Sequence, residues 1–146
     1  MTIFAARQGP MISPALFDEF QLPRLRAISD IVHKYDRKMV LHCCGSIRAF
    51  LPHFIKAGVD ILHPIQPGLP GNDIFEIKKE FGKDIVLFSG LDMQDMMRSG
   101  KPQDICDHIK RIADGFSEGG LIFNLFPMED IPVENMLAFR SVFFDD

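Results

Sequence analysis

The feature that most constrains this chain is the alternation of short apolar runs with longer segments of helical periodicity. The runs cover residues 38–43, 59–63, 85–88 and 121–125, and helical spacing of apolar residues separates them. Because the runs are apolar on both faces, they are typical of parallel strands joined by right-handed helical crossovers. The pattern predicts a parallel α/β sheet. It fits both an open doubly wound sheet and a (β/α)8 barrel.

Local signals place the other elements. An apolar run at 2–6 predicts a further strand, and the Arg7–Pro10 stretch after it is expected to break regular structure. Ser13 and Pro14 suit the start of a helix that runs to about residue 35, with a kink at Pro23. Asn72 is expected to cap a helix that ends near Phe81. Further helices are expected at 47–57, 102–116 and 130–143, and 93–100 should be a short helix or loop.

Composition limits the function classes. A chain of 146 residues with 47% apolar residues predicts one globular domain over 1–146. The net charge is −4, and Lys and Arg are scattered along the chain rather than clustered in a basic patch. Binding to nucleic acid or to an anionic membrane is therefore not expected. Neither a signal peptide nor an apolar run of about 20 residues is present. Three cysteines do not form a disulfide framework, so a cytoplasmic location with reduced thiols is expected.

Reactive side chains follow the strand at 38–43. Side chains alternate along a strand, so His42 and Cys44 should point one way and Cys43 the other. Together His42 and Cys44 predict half of a metal site. The alternative is a hydrogen-bonded histidine at the sheet rim beside a small buried cysteine.

Four more residues are candidates because they follow strands or a strand-end turn. His63 is a candidate for substrate binding or proton transfer, with a structural hydrogen bond as the alternative. Asp92 and Gln94 are candidates for binding polar substrate groups, although Asp92 equally suits a helix cap. Arg48 is a candidate anion ligand, with a solvated surface position as the alternative.

Several stretches occur in the order and spacing of a known family. They include Gln8-Gly9-Pro10, His42-Cys43-Cys44-Gly45-Ser46 and His63-Pro64-Ile65-Gln66-Pro67, with further agreement at 89–94, 100–102, 119–123 and 131–135. In these stretches the chain resembles the uroporphyrinogen decarboxylase superfamily, which includes cobalamin-dependent methyltransferases. The resemblance covers nearly the whole chain.

The resemblance implies a parallel (β/α) barrel of TIM type, of which this chain would be about the C-terminal half, with four to five βα units. A full barrel has about 250 residues. A half barrel would expose strand edges and apolar faces. We therefore expect a homo-oligomer, or a partner that supplies the N-terminal half.

In the methyltransferase branch, the resemblance implies zinc held by a His-x-Cys pair and a later Cys. His42 and Cys44 match the pair, but the stretch 125–130 has no Cys, so Glu129 or His63 is the substitute third ligand. Zinc would keep a thiol substrate as the thiolate for methyl transfer with a corrinoid protein. Together with their positions after strands and turns, this predicts His42, His63 and Asp92 as catalytic residues and Gln94 and Arg48 as substrate-binding residues.

Two alternatives remain open. One is tetrapyrrole (uroporphyrinogen) decarboxylation, in which arginines hold the substrate carboxylates and no metal is needed. The residues that do this in the family belong largely to the N-terminal half. The other alternative is a truncated barrel fragment or subunit with no activity of its own.

Overall fold

Four of the apolar runs form one parallel sheet in the computed structural model of the chain, which describes residues 4–125 and 128–144. The strands are β1 (Ala5–Ala6), β2 (Gly9–Pro10), β3 (Val40–His42), β4 (Ile61–His63), β5 (Val86–Ser89) and β6 (Leu121–Phe123). Strands β3, β4, β5 and β6 lie side by side in that order, and every neighbouring pair is parallel. The prediction of a parallel α/β sheet is therefore confirmed.

Helices fill the connections between the parallel strands. They are α1 (Pro14–Leu16), α2 (Leu22–Lys34), α3 (Leu51–Lys56), α4 (Ile74–Phe81), α5 (Met96–Ser99), α6 (Pro102–Gly115) and α7 (Val133–Phe143). A 3-10 turn at Arg48–Phe50 leads into α3. Each parallel strand is thus followed by at least one helix, as sequential crossovers on one sheet require.

The kink expected at Pro23 appears as a change of helix type just before that residue. A π-helical segment, Phe17–Gln21, joins α1 to α2, and the Leu22 amide donates to the Phe17 carbonyl. Pro23 has no amide hydrogen, so the regular ladder cannot continue through it. The extra residue in the turn accommodates this loss.

Two local predictions are wrong. Arg7–Pro10, expected to break regular structure, instead contains β2, because Gly9–Pro10 pairs antiparallel with Ala5–Ala6 of the strand predicted at 2–6. Residues 2 and 3 lie outside the described residues. The N-cap of α4 is Asp73, whose side chain accepts from the amides of Phe75 and Glu76, and Asn72 is buried instead.

The larger of two apolar cores lies between the sheet and the helices α2 to α4. Leu41, Leu62 and Leu87 occupy successive strands in one register row and point into this core, where all three are buried. Phe4, Phe17, Phe50 and Phe54 form an aromatic group within it, with ring centroids 5.0 to 6.2 Å apart. The smaller core lies among α5, α6 and α7.

The other face of the sheet is much less covered. Val40 is 48% exposed and Ile122 is 40% exposed, although both belong to strands. Side chains alternate between faces along a strand, so His42, His63 and Phe88 share this open face. No helix in the described parts of the chain is long and apolar enough to cross a membrane.

Candidate functional site

A cavity of about 360 Å³ opens at the carboxyl ends of the parallel strands. Five of the residues singled out from the sequence line it: His42, Cys44, His63, Asp92 and Gln94. Its apolar wall comes mainly from the loops after β4 and β5. The members of that wall are Pro64, Ile65, Pro67, Leu69, Leu91, Met93 and Met128.

His42 and Cys44 meet at the cavity wall. His42 is the last residue of β3, and its Nε2 lies 3.3 Å from the Cys44 Sγ. Cys43 between them is fully buried in the larger core. The alternation expected from the strand is therefore present, and it leaves one thiol beside the cavity and the other in the interior.

The His63 ring lies against His42 because the two residues are register partners at the ends of β4 and β3. Their Nδ1 atoms are 2.8 Å apart, and the His63 Nε2 is 2.8 Å from the Asn124 Nδ2. Burial lowers the pKa of His63, and the neighbouring His42 lowers it further. His63 is therefore a neutral ring at pH 7.

Burial also affects the two adjacent thiols. It raises the pKa of Cys44 and, as the largest cause, that of Cys43. Burial in low dielectric disfavours the charged thiolate. In the absence of a cation, Cys44 is therefore a neutral thiol at pH 7.

The turn after Cys44 depends on a glycine. Gly45 has φ of +101°, and a Cβ at this position would lie 2.4 Å from the Ala5 carbonyl oxygen. The next amide, Ser46, donates to the Ala6 carbonyl at 2.9 Å. The β1–β2 hairpin therefore packs directly on the backbone of this turn, which fixes where the Cys44 side chain begins.

Asn72 joins the loop after β3 to the loop after β4. Its Nδ2 donates to the carbonyls of Gly45 at 2.9 Å and Gln66 at 3.1 Å, and its Oδ1 accepts from the Ile47 amide. The Gln66 side chain closes the group by accepting from the Gly45 amide at 2.6 Å. These contacts hold two walls of the cavity in one arrangement.

Asp92 and Gln94 line the opposite wall. The Asp92 Oδ1 accepts from the amides of Gln94 and Asp95 at 2.9 and 3.0 Å in the turn that precedes α5, whose N-cap is Asp95 rather than Asp92. The Gln94 side chain accepts a hydrogen bond from Arg7, which lies in the β1–β2 hairpin. This hydrogen bond connects the Gln94 side chain to the hairpin.

Arg48 is not brought to the cavity. Its guanidinium forms ion pairs with Glu80 and Glu76 of α4. The 3-10 turn after Cys44 directs the side chain toward α4, and the two carboxylates compensate its charge. The structure therefore gives no support to the interpretation of Arg48 as a substrate ligand.

Three polar residues of the cavity were not singled out from the sequence: Gln66, Arg98 and Asn124. Asn124 follows β6 directly, so the strand-end rule that selected His42 also applies to it. Arg98 lies in α5 and pairs with Asp130, with Nε 2.7 Å from the carboxylate oxygen. That partner is distant in sequence, and no local signal predicts it.

The two-ligand geometry at His42 and Cys44 suits zinc. With zinc–nitrogen and zinc–sulfur bonds of about 2.0 and 2.3 Å, two ligand atoms on a tetrahedral ion lie roughly 3.5 Å apart. The observed distance between Nε2 and Sγ is 3.3 Å. Within residues 4–125 and 128–144, no group of three or more His, Cys, Asp and Glu side chains could hold a metal ion.

The two substitutes expected for a third ligand are not in place. Both His63 ring nitrogens are within hydrogen-bonding distance of other side chains. Glu129 is exposed. Among the described residues, His42 and Cys44 therefore remain as two potential metal ligands without a third.

Comparison with known proteins agrees with this picture of the fold. The model of the uroporphyrinogen decarboxylase (URO-D) family matches residues 1–142. A solved structure of a methyltransferase from Methanosarcina mazei is similar with a TM-score of 0.69 and 19% sequence identity. The similarity covers 96% of this chain and 40% of that chain. No curated protein matches.

The structural similarity decides between the two architectures left open by the sequence. The parallel strands with alternating helices correspond to part of the longer methyltransferase chain, as an incomplete TIM barrel does. The carboxyl ends of barrel strands form the functional face of that fold. The cavity described above lies at this face.

Proposed function

The chain belongs to the uroporphyrinogen decarboxylase family, and we propose that it forms the zinc-binding part of a barrel that transfers a methyl group between a corrinoid protein and a thiol. The observation that carries the proposal is the 3.3 Å approach of the His42 Nε2 to the Cys44 Sγ at the cavity wall. A neutral imidazole and a thiolate are the ligands that zinc prefers.

Zinc would contribute one chemical property, which is to stabilise a bound thiol as the thiolate, the nucleophilic form, at neutral pH. His42 and Cys44 would supply two of four coordination positions. The thiol of the substrate would take another. The remaining position would be filled from outside the described residues.

The rest of the cavity suits a small organic thiol. The apolar wall formed by Ile65, Leu69 and Leu91 would exclude water from the reacting sulfur. Asp92, Gln94 and Arg98 lie on the cavity lining as polar groups for the far end of such a molecule. Asn72 and Gln66 fix the loops that carry these walls.

Tetrapyrrole decarboxylation receives less support. A substrate with many carboxylates requires several cationic groups at the site. Among the described residues that line the cavity, Arg98 is the one arginine, and Asp130 already compensates its charge. The cavity therefore favours a substrate with fewer charges.

The open face of the sheet suggests a second copy of the chain. Four parallel strands are half of the eight that close a TIM barrel. The outer edges of β3 and β6 have no strand partner among the described residues. In a two-fold dimer, β3 of each copy would pair with β6 of the other, which would cover Val40 and Ile122. A stable homodimer by light scattering is expected, and a monodisperse monomer would contradict it.

The test of the proposed function is zinc content together with variants of the two ligands. The purified chain is expected to bind about one added zinc per copy, measured by titration because His42 and Cys44 supply only two of the four ligands. His42→Ala and Cys44→Ala should abolish this zinc. Cys106→Ala, which removes a thiol on α6 outside the cavity lining, should retain it. Absence of zinc in the wild type, or retention of zinc by Cys44→Ala, would overturn the proposal.

A further inference from the structure

A continuous set of polar contacts connects the Cys44 thiol to the amide of Asn124. The Cys44 Sγ lies 3.3 Å from the His42 Nε2, the two Nδ1 atoms of His42 and His63 are 2.8 Å apart, and the His63 Nε2 is 2.8 Å from Asn124. The four residues lie at or just after the carboxyl ends of three strands, β3, β4 and β6. Asn124 stands at the end away from the thiol.

Each of these contacts requires one donor and one acceptor. A neutral imidazole has one N–H and one bare nitrogen, so a ring that accepts at one nitrogen must donate at the other. When two neutral rings are joined by a hydrogen bond and each is bonded at both nitrogens, both N–H groups must therefore point the same way along the chain of contacts. The group at the end of the series determines that direction.

Two arrangements satisfy this requirement. If the Asn124 amide donates to the His63 Nε2, then the His63 Nδ1 donates to the His42 Nδ1, and the His42 Nε2 carries a proton toward Cys44. If the Asn124 amide oxygen accepts instead, every proton moves to the other nitrogen of its ring, and the His42 Nε2 presents a lone pair. The structure has the nitrogen of the amide toward His63, which is the first arrangement.

We propose that Asn124 is a positioning residue that selects, through His63, whether His42 presents an N–H or a lone pair to the Cys44 sulfur. Asparagine suits this role because rotation of its amide exchanges a donor for an acceptor at the same place. Only the lone pair can bind a metal ion. This inference rests on the proposed function, because the tautomer of His42 matters for a metal ion that His42 would bind.

The direct test is the tautomer of the two rings in metal-free protein. Full-length chain labelled with 15N-histidine would be studied by NMR at pH 8, above the ordinary pKa of imidazole. In the wild type, His42 should carry its proton on Nε2 and His63 on Nδ1. Asn124→Asp offers acceptor oxygens only, so both rings should change to the other tautomer.

A matched control separates this effect from added negative charge. Gln94→Glu places a carboxylate on the same cavity but outside the chain of contacts, so both rings should keep the wild-type tautomers. The same tautomers in wild type and Asn124→Asp would overturn the proposal. So would a tautomer change of equal size in Gln94→Glu.

A second variant tests the proposal even if Asn124→Asp does not fold. Asn124→Ala removes the selecting group, and His63 should then show a mixture of both tautomers. A single tautomer identical to the wild type would overturn the proposal.

Zinc titration then distinguishes the inference from the proposed function. Asn124→Asp should bind zinc about tenfold more tightly than Gln94→Glu. If the tautomers change but no variant binds zinc, the proposed zinc chemistry fails and the role of Asn124 stands. If zinc binds with equal affinity in both variants and the tautomers do not change, the role of Asn124 fails and the zinc site stands.

Discussion

His42 and His63 are register partners on adjacent parallel strands, and their Nδ1 atoms are 2.8 Å apart. Residues paired in this way lie at the same height on the same face of the sheet, so their side chains are constrained together. The orientation of the His42 ring thus depends on a residue from the next strand.

This dependence gives a first prediction. His63→Ala removes the donor that keeps the His42 proton on Nε2, so the Nε2 lone pair becomes available and the zinc affinity should rise by up to about tenfold, as expected for Asn124→Asp. Isothermal titration with zinc would measure the change. His33→Ala, on α2 and outside the cavity lining, serves as the control and should bind zinc as the wild type does. Equal affinities for all three proteins would contradict the prediction.

Gly45→Ala should be strongly destabilising. The new Cβ would overlap the Ala5 carbonyl oxygen at 2.4 Å, and the backbone already has a φ of +101°. Gly68→Ala is the matched control, because Gly68 has a φ of +79° but nothing within 4 Å of the added carbon. We expect a loss of about 1 kcal/mol for Gly68→Ala. Gly45→Ala should lose about 2 kcal/mol more. Urea unfolding measures both, and equal losses would refute the steric argument.

Asn72→Ala should cost about 2 to 3 kcal/mol in the free energy of unfolding. The substitution leaves the buried Gly45 carbonyl, the half-buried Gln66 carbonyl and the buried Ile47 amide without their partner. Asp73→Ala, one residue away, removes only the cap of α4 and should cost about 1 kcal/mol. If chemical denaturation ranks the two variants in the opposite order, Asn72 does not have the role assigned to it.

The pH dependence of stability should involve Asp60. Burial raises the pKa of its carboxyl, but hydrogen bonds from His33, the Met39 amide and Lys38 outweigh burial, and the pKa is lowered overall. A carboxyl whose pKa is lower in the folded than in the unfolded protein stabilises the fold at any pH above the unfolded-state pKa. This stabilisation is lost as the pH falls through the pKa of the folded state. Wild-type stability should therefore decrease on acidification below about pH 4.

Asp60→Asn tests this assignment. The variant should lose about 1 to 3 kcal/mol at pH 7, where the wild-type carboxylate is charged and bonded. It should also show a smaller decrease in stability between pH 5 and about pH 2 than the wild type. Asp84→Asn changes an exposed carboxyl and should keep the wild-type pH profile. If the free energy of unfolding of Asp60→Asn decreases with acidification as steeply as that of the wild type, Asp60 does not cause the pH dependence.

The sequence predicts the parallel sheet and most of the polar residues that line the cavity, because both follow from where buried runs stop. His42, Cys44, His63, Asp92 and Gln94 all come at or after strand ends, and parallel strands bring such ends to one edge. Asn124 obeys the same rule. It was overlooked because the predicted strand ran to residue 125, whereas β6 ends at Phe123.

Other features depend on contacts that no local pattern contains. Asn72 has the residue type and position of a helix cap, and only the packing of two loops around it makes it a buried bridge. Arg48 follows the Cys44 turn closely in sequence, but the carboxylates of α4 determine where its charge lies. The hairpin partner of Ala5–Ala6 was likewise missed, because Gly9–Pro10 has the composition of a turn.

The opposite orientation of Cys43 and Cys44 has a consequence for oxidation chemistry. Cys43 is fully buried in the larger core and Cys44 lines the cavity, so the two neighbouring sulfurs are separated by the backbone of the strand end. They cannot join in a vicinal disulfide without turning one side chain out of its environment. If an oxidant converts Cys44 to a sulfenic acid, Cys43 therefore cannot resolve it, and a thiol from solution is required.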